Sequence, residues 1–331
     1  MNNKIIKASL LALSLTFLNG CNGGSELMKI REQMSTVELK VDGEGIKPEL
    51  IYSESINSQT IYCGANVNGM EQLTNLGTDS GTFNAGFNPT AFLEEGVNKL
   101  QLWVAPVGAY EKDYTYHEND NCKINFVAAF KDGKVTELTS LTANLEEGKP
   151  TVKHSKIYPD NHQSPLMEPN GLLENIVTTF ERPVYIKTVP HWHWVDATPI
   201  REDNPEQMKK LHKAYDNLIA LMKARDFEGL KMAYSISSRE KAKAEAYFSE
   251  PDDYYKTVGF EMSFDSWEDS VVEPRRAWSE YELRSFAGGR LVRLADLRSH
   301  SPLRISSIKE DRMNSQLPYF SMIDGRVVIS R

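Results

Sequence analysis

The sequence predicts an all-β sandwich over residues 27–199, followed by an α+β domain over residues 200–331 in which helices precede an antiparallel curved sheet. Two observations support this prediction. Short runs of alternating apolar residues, separated by Gly-, Asn- and Asp-rich turns, dominate the first part. The second part opens with apolar residues at helical spacing and continues with strand-like runs joined by hairpin signals. A chain of 331 residues is long enough for two domains.

The first part contains seven predicted strands. They span residues 36–41, 60–65, 98–105, 122–130, 135–141, 176–180 and 184–189. Asp42-Gly43 and Asp132-Gly133 are turn signals that end two of the runs. The stretch from Phe92 to Leu100 resembles the strand entry of bacterial immunoglobulin-like modules. That resemblance implies a module that presents a surface or acts as a spacer.

Three helices are predicted next. Asn204 is a candidate N-cap, Pro205 suits the first helical position, and Gln207 occupies the capping-box position. The apolar residues that follow are spaced by three and four, which predicts a helix with one buried face. They are Met208, Leu211, Tyr215, Leu218 and Met222. A second helix is expected to begin near Asp226, and a capping box from Ser237 to Glu240 signals a third.

The last part of the chain returns to strands. The predicted runs are residues 278–287, 291–297, 302–308, 317–322 and 327–329, with hairpin turns at Gly288-Gly289 and Asp324-Gly325. A long helix, shorter helices and an antiparallel meander, in this order, resemble the nuclear transport factor 2-like fold. That resemblance implies a cone-shaped pocket between sheet and helix. Enzymes of that family place an Asp/His pair in the cone, but His212 and His300 lack a matching signature here.

Residues 1–20 have the features of an export signal. Lys4 and Lys7 precede a short apolar run, and Leu18-Asn19-Gly20-Cys21 resembles the lipobox of bacterial lipoproteins. The resemblance implies cleavage before Cys21, acylation of that cysteine and a tether over residues 21–26. Because residue 22 is asparagine and not aspartate, we expect the protein at the periplasmic side of the outer membrane. An ordinary secretory signal followed by a chance cysteine is the alternative.

The chain has three cysteines. With Cys21 assigned to the lipid, Cys63 and Cys122 remain, and an exported protein with one such pair is expected to form a disulfide. A zinc site needs more ligands than two distant cysteines provide.

Negative charge is concentrated in the first part of the chain. Residues 200–331 are balanced, so the first 199 residues carry the whole net charge of −8, which becomes −10 once the signal is removed. An acidic surface repels nucleic acid, and we expect no nucleic-acid partner. The acidity is explained either by a soluble, well-charged surface or by a face for a basic protein partner.

The segment from Pro190 to Val195 holds two histidines and two tryptophans in alternation. On a strand, His191 and His193 would share one face, and two histidines are half of a metal site. No third ligand at motif spacing completes it, so no metal or cofactor is predicted. Trp192 and Trp194 are candidate partner contacts. The alternative is that both tryptophans are buried and that the histidines face solvent or cap the junction between the two predicted domains.

Charge in the C-terminal part is segregated, with an acidic run over residues 261–273 and an arginine-rich series after it. Opposite charges are expected to pair across strands. Otherwise, Arg284, Arg290 and Arg293 form a partner-binding face, because arginine binds carboxylates with two parallel hydrogen bonds.

Motifs for nucleotide binding, metalloprotease activity and serine hydrolysis were sought in the sequence and not found. No catalytic residue is therefore predicted. We expect a lipid-anchored periplasmic protein that binds another protein, most simply an immunity protein that neutralises an envelope-targeted toxin such as a phospholipase. The alternatives are an envelope accessory lipoprotein that binds a small ligand in its C-terminal cone, and a metal-dependent hydrolase that uses His191 and His193.

Overall fold

The computed structural model describes residues 26–31, 50–130, 132–153, 162–163, 176–245 and 251–331. Over these residues the chain is mixed α/β, with a β-rich N-terminal region and a C-terminal region in which helices come before most strands. The predicted signal peptide, Cys21 and the predicted strand at residues 36–41 lie outside the described residues. Within the described ranges, none of the helices combines the length and the apolar character that crossing a membrane requires.

Two five-stranded antiparallel sheets make up the described N-terminal region. Their strands are β1 (Leu50–Gln59), β2 (Ile61–Val67), β3 (Met70–Thr74), β4 (Phe83–Phe87), β5 (Gly96–Pro106), β6 (Asn121–Phe130), β7 (Val135–Glu146), β8 (Lys149–Lys153), β9 (His162–Gln163) and β10 (Thr178–Ile186). One sheet has the order β4-β1-β6-β7-β8 and the other the order β3-β2-β5-β10-β9.

The two sheets pack against each other through a shared apolar core. Alternate residues point inwards, such as Ile56 on β1 and Val184 on β10, because successive side chains of a strand face opposite sides. The predicted disulfide is confirmed: Cys63 on β2 is bonded to Cys122 on β6, with their Cα atoms 6.6 Å apart. The bond therefore joins one sheet to the other inside the core.

The strands predicted around residues 60–65, 98–105, 122–130 and 135–141 are confirmed as β2, β5, β6 and β7. The two runs at 176–180 and 184–189 are in fact parts of one strand, β10. Pro183 is tolerated within β10 because the described part of β9 pairs only with Phe180 and Glu181, so the proline lies beyond that pairing. Strand β1 was not predicted, because serines and the inward-facing Glu54 interrupt its apolar pattern.

Among the described residues after the sandwich strands, the α-helices are α1 (Pro205–Lys223), α2 (Phe227–Ala233), α3 (Ser235–Glu245), α4 (Pro251–Lys256) and α5 (Phe260–Asp265). The predicted N-cap is confirmed, since the side chain of Asn204 accepts from the Gln207 N–H. The second helix begins near Asp226 as predicted, and the Asp226 side chain caps it by accepting from the Gly229 N–H. Helix α3 begins at Ser235, before the predicted capping box. Glu240 does not cap it, because its carboxylate is turned towards other partners.

The remaining strands form two antiparallel sheets. They are β11 (Val271–Val272), β12 (Glu282–Phe286), β13 (Leu291–Ala295), β14 (Leu303–Ser307), β15 (Arg312–Gln316), β16 (Phe320–Ile323) and β17 (Arg326–Ile329), in the orders β11-β14-β15 and β12-β13-β16-β17. Both predicted hairpin turns are confirmed, and Asp324 and Gly325 take φ values of 48° and 74°. Strand β15 was not predicted, because its polar sequence has no apolar alternation.

Helix α1 packs against both C-terminal sheets through a second core. Tyr215 lies at its centre, fully buried, with its ring 4.6 Å from that of Phe320 and its hydroxyl accepting from the Leu294 N–H at 2.9 Å. Residues 27–31 were predicted as the beginning of the sandwich, but in the structure Leu27 and Ile30 pack in this C-terminal core. Ile30 is buried in it, and Arg31 forms a two-point ion pair with Asp226.

Candidate binding groove

A groove lies along one face of α1, beside the aromatic centre of the C-terminal core. Side chains spaced by three and four residues project from the same face of a helix, and those of α1 form one wall. They are Glu206, Lys209, Lys210, Lys213, Ala214, Asn217 and Leu218. The apolar stripe that includes Leu211 and Tyr215 turns into the core. The groove therefore runs along the edge of the buried face of α1.

The hairpin of β16 and β17 forms the opposite wall. It contributes Phe320 and the residues from Gly325 to Ile329 to the lining. The end of α2 and the beginning of α3 complete the groove with Met232, Ala233, Ser235 and Ile236. The Lys210 ammonium donates to the carbonyl oxygen of Gly325 at 2.8 Å. This hydrogen bond holds the helix and the hairpin turn together at one end of the groove.

The groove changes from charged to apolar along its length. Its volume is about 500 Å³. Lys209, Lys213 and Arg326 are exposed at one end. At the other end, Leu218, Ile236 and Ile329 are buried. The groove therefore has a cationic mouth and an apolar interior.

One polar side chain in the groove wall has no hydrogen-bond partner for its oxygen. Asn217 is only 7% exposed, and its Oδ1 atom makes no hydrogen bond in the structure. A buried carbonyl oxygen without a donor is costly, and most buried polar atoms in proteins are satisfied. The oxygen is itself shielded from solvent, so Asn217 contributes a buried, unsatisfied acceptor behind the groove wall and not a contact point for a ligand.

The charge at the mouth is predominantly positive. Glu206 is the one acidic residue of the lining, against three lysines and an arginine. Lys209 and Lys213, one helical turn apart, form no ion pair with any residue that the structure describes. Like charges at this spacing repel each other, so an anion placed between the two ammonium groups would be stabilised.

The structure places Trp192 and Trp194 away from any surface. They are 1% and 0% exposed, in an apolar cluster that also contains Phe92, Phe286 and Tyr319. The two indole N–H groups donate to the carbonyl oxygens of Thr90 and Ala91 at 3.1 Å. The expectation that these tryptophans contact a partner is therefore corrected: they join the N-terminal and C-terminal regions of the same chain. The segment also does not continue as a strand, since residues His193–Asp196 form a 3-10 turn.

Arg290 has an internal partner as well. Its guanidinium makes two hydrogen bonds to the carboxylate of Glu94, at 2.6 and 2.8 Å, and one to the carbonyl oxygen of Val195. It also lies 5.2 Å from the ring of Trp194. Arg290 therefore fastens the two regions together, and its guanidinium is not available as an open partner-binding face.

Arg284 and Arg293 lie directly opposite each other on β12 and β13. Arg284 pairs with Glu282 at 3.0 Å. The Arg293 guanidinium lies 5.1 Å from the ring of Tyr319 and donates to its hydroxyl at 3.3 Å. The structure thus does not bring the three predicted arginines together as one face, because each is held by a different neighbour. Pairing of the acidic run with basic residues is observed, for example between Glu273 and Arg304 at 3.1 Å.

His191 and His193 point to different carboxylates. The His191 ring contacts Asp196 at 2.6 Å, and the His193 ring contacts Glu240 at 2.6 Å. The hydrogen bond that the Glu240 carboxylate accepts from the His193 ring raises the pKa of His193. Arg331 also pairs with Glu240, and burial lowers the pKa of this arginine. Among the described residues, no group of three or more His, Cys, Asp or Glu side chains is placed to hold a metal ion.

The groove is not apparent from the amino-acid sequence. The apolar stripe of α1 was recognised, but the neighbouring stripe of Lys209, Lys213 and Asn217 resembles an ordinary solvated face. Its one distinguishing signal is that alanine and asparagine, and not long charged residues, occupy positions 214 and 217 beside the apolar stripe. No protein-family model, curated protein or solved structure matches this chain.

Proposed function

We propose that this protein is a non-enzymatic binding protein of the bacterial envelope, anchored to the outer membrane through an acylated Cys21, and that the groove along α1 binds a small-molecule ligand. In this proposal an immunoglobulin-like sandwich domain over residues 27–199 supports an α+β domain over residues 200–331 that carries the groove. The observation that carries the proposal is the groove itself, an apolar cavity with a few placed polar groups.

The dimensions of the groove suit a ligand. Small-molecule sites are typically cavities of roughly 300–1,000 Å³, mostly apolar and with few polar groups. The volume of about 500 Å³ lies in this range. The aromatic centre of the C-terminal core is filled by Tyr215 and Phe320, so the ligand would lie beside that centre and not within it.

The chemistry of the lining favours binding over catalysis. Its ionisable side chains lie at the exposed mouth, whereas Asn217 and Ser235 are the uncharged polar side chains of the lining. An amide and a hydroxyl without an adjacent base orient a ligand through hydrogen bonds. The groove is therefore suited to hold a molecule.

Filling the groove tests the proposal. Ala214 lines the groove, and Ala214→Trp would occupy part of it. Ala224→Trp introduces the same side chain at the exposed residue that follows the end of α1. Each protein is purified from membranes and extracted with organic solvent, and the extracts are compared by mass spectrometry. We expect a small molecule with the wild type and with Ala224→Trp, and its loss with Ala214→Trp. The same extract from all three proteins would contradict the proposal.

A second candidate function is an immunity protein for an envelope-targeted toxin. The charge distribution supports it, since the acidic N-terminal part suits a basic protein partner. Deleting the gene and challenging the cells with sibling cells that deliver the toxin should reduce survival, and a plasmid copy should restore it. Equal survival with and without the gene would contradict this candidate.

A further inference from the structure

The groove follows α1 over about three turns, and its polarity changes along the helix. The lining residues of α1 extend from Glu206 to Leu218, which at about 1.5 Å per residue corresponds to roughly 18 Å along the helix. The exposed lysines lie along the first part of this length, and the buried Leu218 lies at its far end. A ligand that satisfies both ends has a charged head and an apolar body.

The head that fits is negative. Lys209 and Lys213 lack acidic partners among the described residues, and Arg326 adds positive charge from the facing strand. Lys210 is held at the hairpin turn by Gly325. A carboxylate between Lys209 and Lys213 would accept hydrogen bonds from both ammonium groups and remove their mutual repulsion.

The body that fits is a single chain. The buried side chains beyond the mouth are apolar, and a volume of about 500 Å³ lies in the range for one ligand of moderate size. The oxygen of Asn217 is shielded from solvent, so it makes no demand on the ligand, and a plain apolar chain suits this part of the groove.

We infer that the ligand is a fatty acid, with its carboxylate at Lys209 and Lys213 and its chain directed towards Leu218 and Ile236. This inference rests on the proposed function, because it names the ligand class of the same groove. The cationic mouth and the apolar interior contribute separately to the binding affinity, so each contribution is tested separately.

The test uses the full chain carrying Cys21→Ser, which removes the acylation site and allows titration without detergent. Isothermal titration calorimetry compares dodecanoate, dodecanol and dodecyltrimethylammonium below their micelle concentrations. We expect one dodecanoate per chain, bound about five- to tenfold more tightly than dodecanol, as two exposed ion pairs suggest. The cationic amphiphile should bind more weakly than the alcohol. The advantage of dodecanoate should decrease with added salt.

Matched variants locate the head group. Replacing both lysines, Lys209→Gln with Lys213→Gln, should reduce dodecanoate affinity to that of dodecanol without changing the binding of dodecanol. Lys223→Gln, on the exposed face of the same helix outside the groove, should change neither. Circular dichroism establishes that each variant is folded.

Different results overturn different statements. Equal affinity for dodecanoate and dodecanol, or an unchanged preference in the double-lysine variant, would overturn the fatty-acid inference while leaving a ligand groove in place. Retention of diacyl phosphatidylglycerol from vesicles, or of a peptide in the extract, would likewise replace the fatty acid as the ligand. If no amphiphile binds and Ala214→Trp also changes no extract, both the inference and the proposed function fail.

Discussion

Glu54 provides the sharpest test of the packing of the N-terminal region. Its side chain points into the core between the two sheets, it is 0% exposed, and neither carboxylate oxygen has a hydrogen-bond partner in the structure. Burial raises the pKa of this carboxyl from 4.5 to about 8. Because the folded pKa lies above the unfolded one, the folded state binds the proton more tightly than the unfolded state does.

The consequence is a stability that decreases as the pH rises between these two values. Near pH 4.5 the folded state is protonated and the unfolded state is about half protonated, so the cost in unfolding free energy is small, whereas above about pH 8 it is complete. At about pH 7 the raised pKa lowers the free energy of unfolding by about 3 kcal/mol relative to a side chain that does not ionise. The substitution Glu54→Gln keeps the shape and removes the ionisation. We therefore expect Glu54→Gln to stabilise the protein by about this amount at neutral pH.

Urea denaturation at a series of pH values measures the difference in unfolding free energy between the wild type and Glu54→Gln. We expect it to increase from nearly zero at about pH 4.5 to about 3 kcal/mol at about pH 7. Glu137→Gln, at an exposed position on β7, serves as the control and should show no such trend. A difference that does not vary with pH would refute the argument that Glu54 is protonated in the core.

Three further predictions concern the contacts that hold the two regions. Replacing Cys122 by serine opens a link across 59 residues to Cys63, and the free energy of unfolding should decrease by about 4 kcal/mol, measured by urea denaturation; an unchanged value would mean the bond does not restrict the unfolded chain. Glu94→Gln should cost about 2 kcal/mol, and a double-mutant cycle with Arg290→Gln should give a clear coupling energy; additive effects would contradict their pairing. Trp194→Ala should cost about 4 kcal/mol, because a fully buried indole leaves a cavity, whereas a near-neutral effect would place this side chain outside the packed core.

The elements that depend on neighbouring residues were predictable from the sequence. Asn204 and Asp226 cap their helices because the interaction is completed within three residues. The Asp324-Gly325 turn follows from the tolerance of these residues for positive φ. The alternation in β6 likewise shows which side of the strand is buried. In these cases local sequence and local structure contain the same information.

The remaining features required the tertiary structure. Trp192 and Trp194 have surroundings built from residues about one hundred positions earlier and later, and no local pattern distinguishes a buried indole from an exposed one. Arg290 is held by Glu94, which lies 196 residues away in the sequence. The groove exists because the hairpin of β16 and β17 packs beside α1 and leaves space next to Asn217.

By itself, therefore, the sequence determined the strands with clear apolar alternation, the beginning of the long helix, the hairpin turns and the cysteine pair, since each depends on short-range geometry or on residue type. Only the tertiary structure decided which charged and aromatic side chains are buried or paired within the chain and which surface remains accessible. That selection depends on packing between distant segments, because burial and ion pairing are properties of what surrounds a side chain.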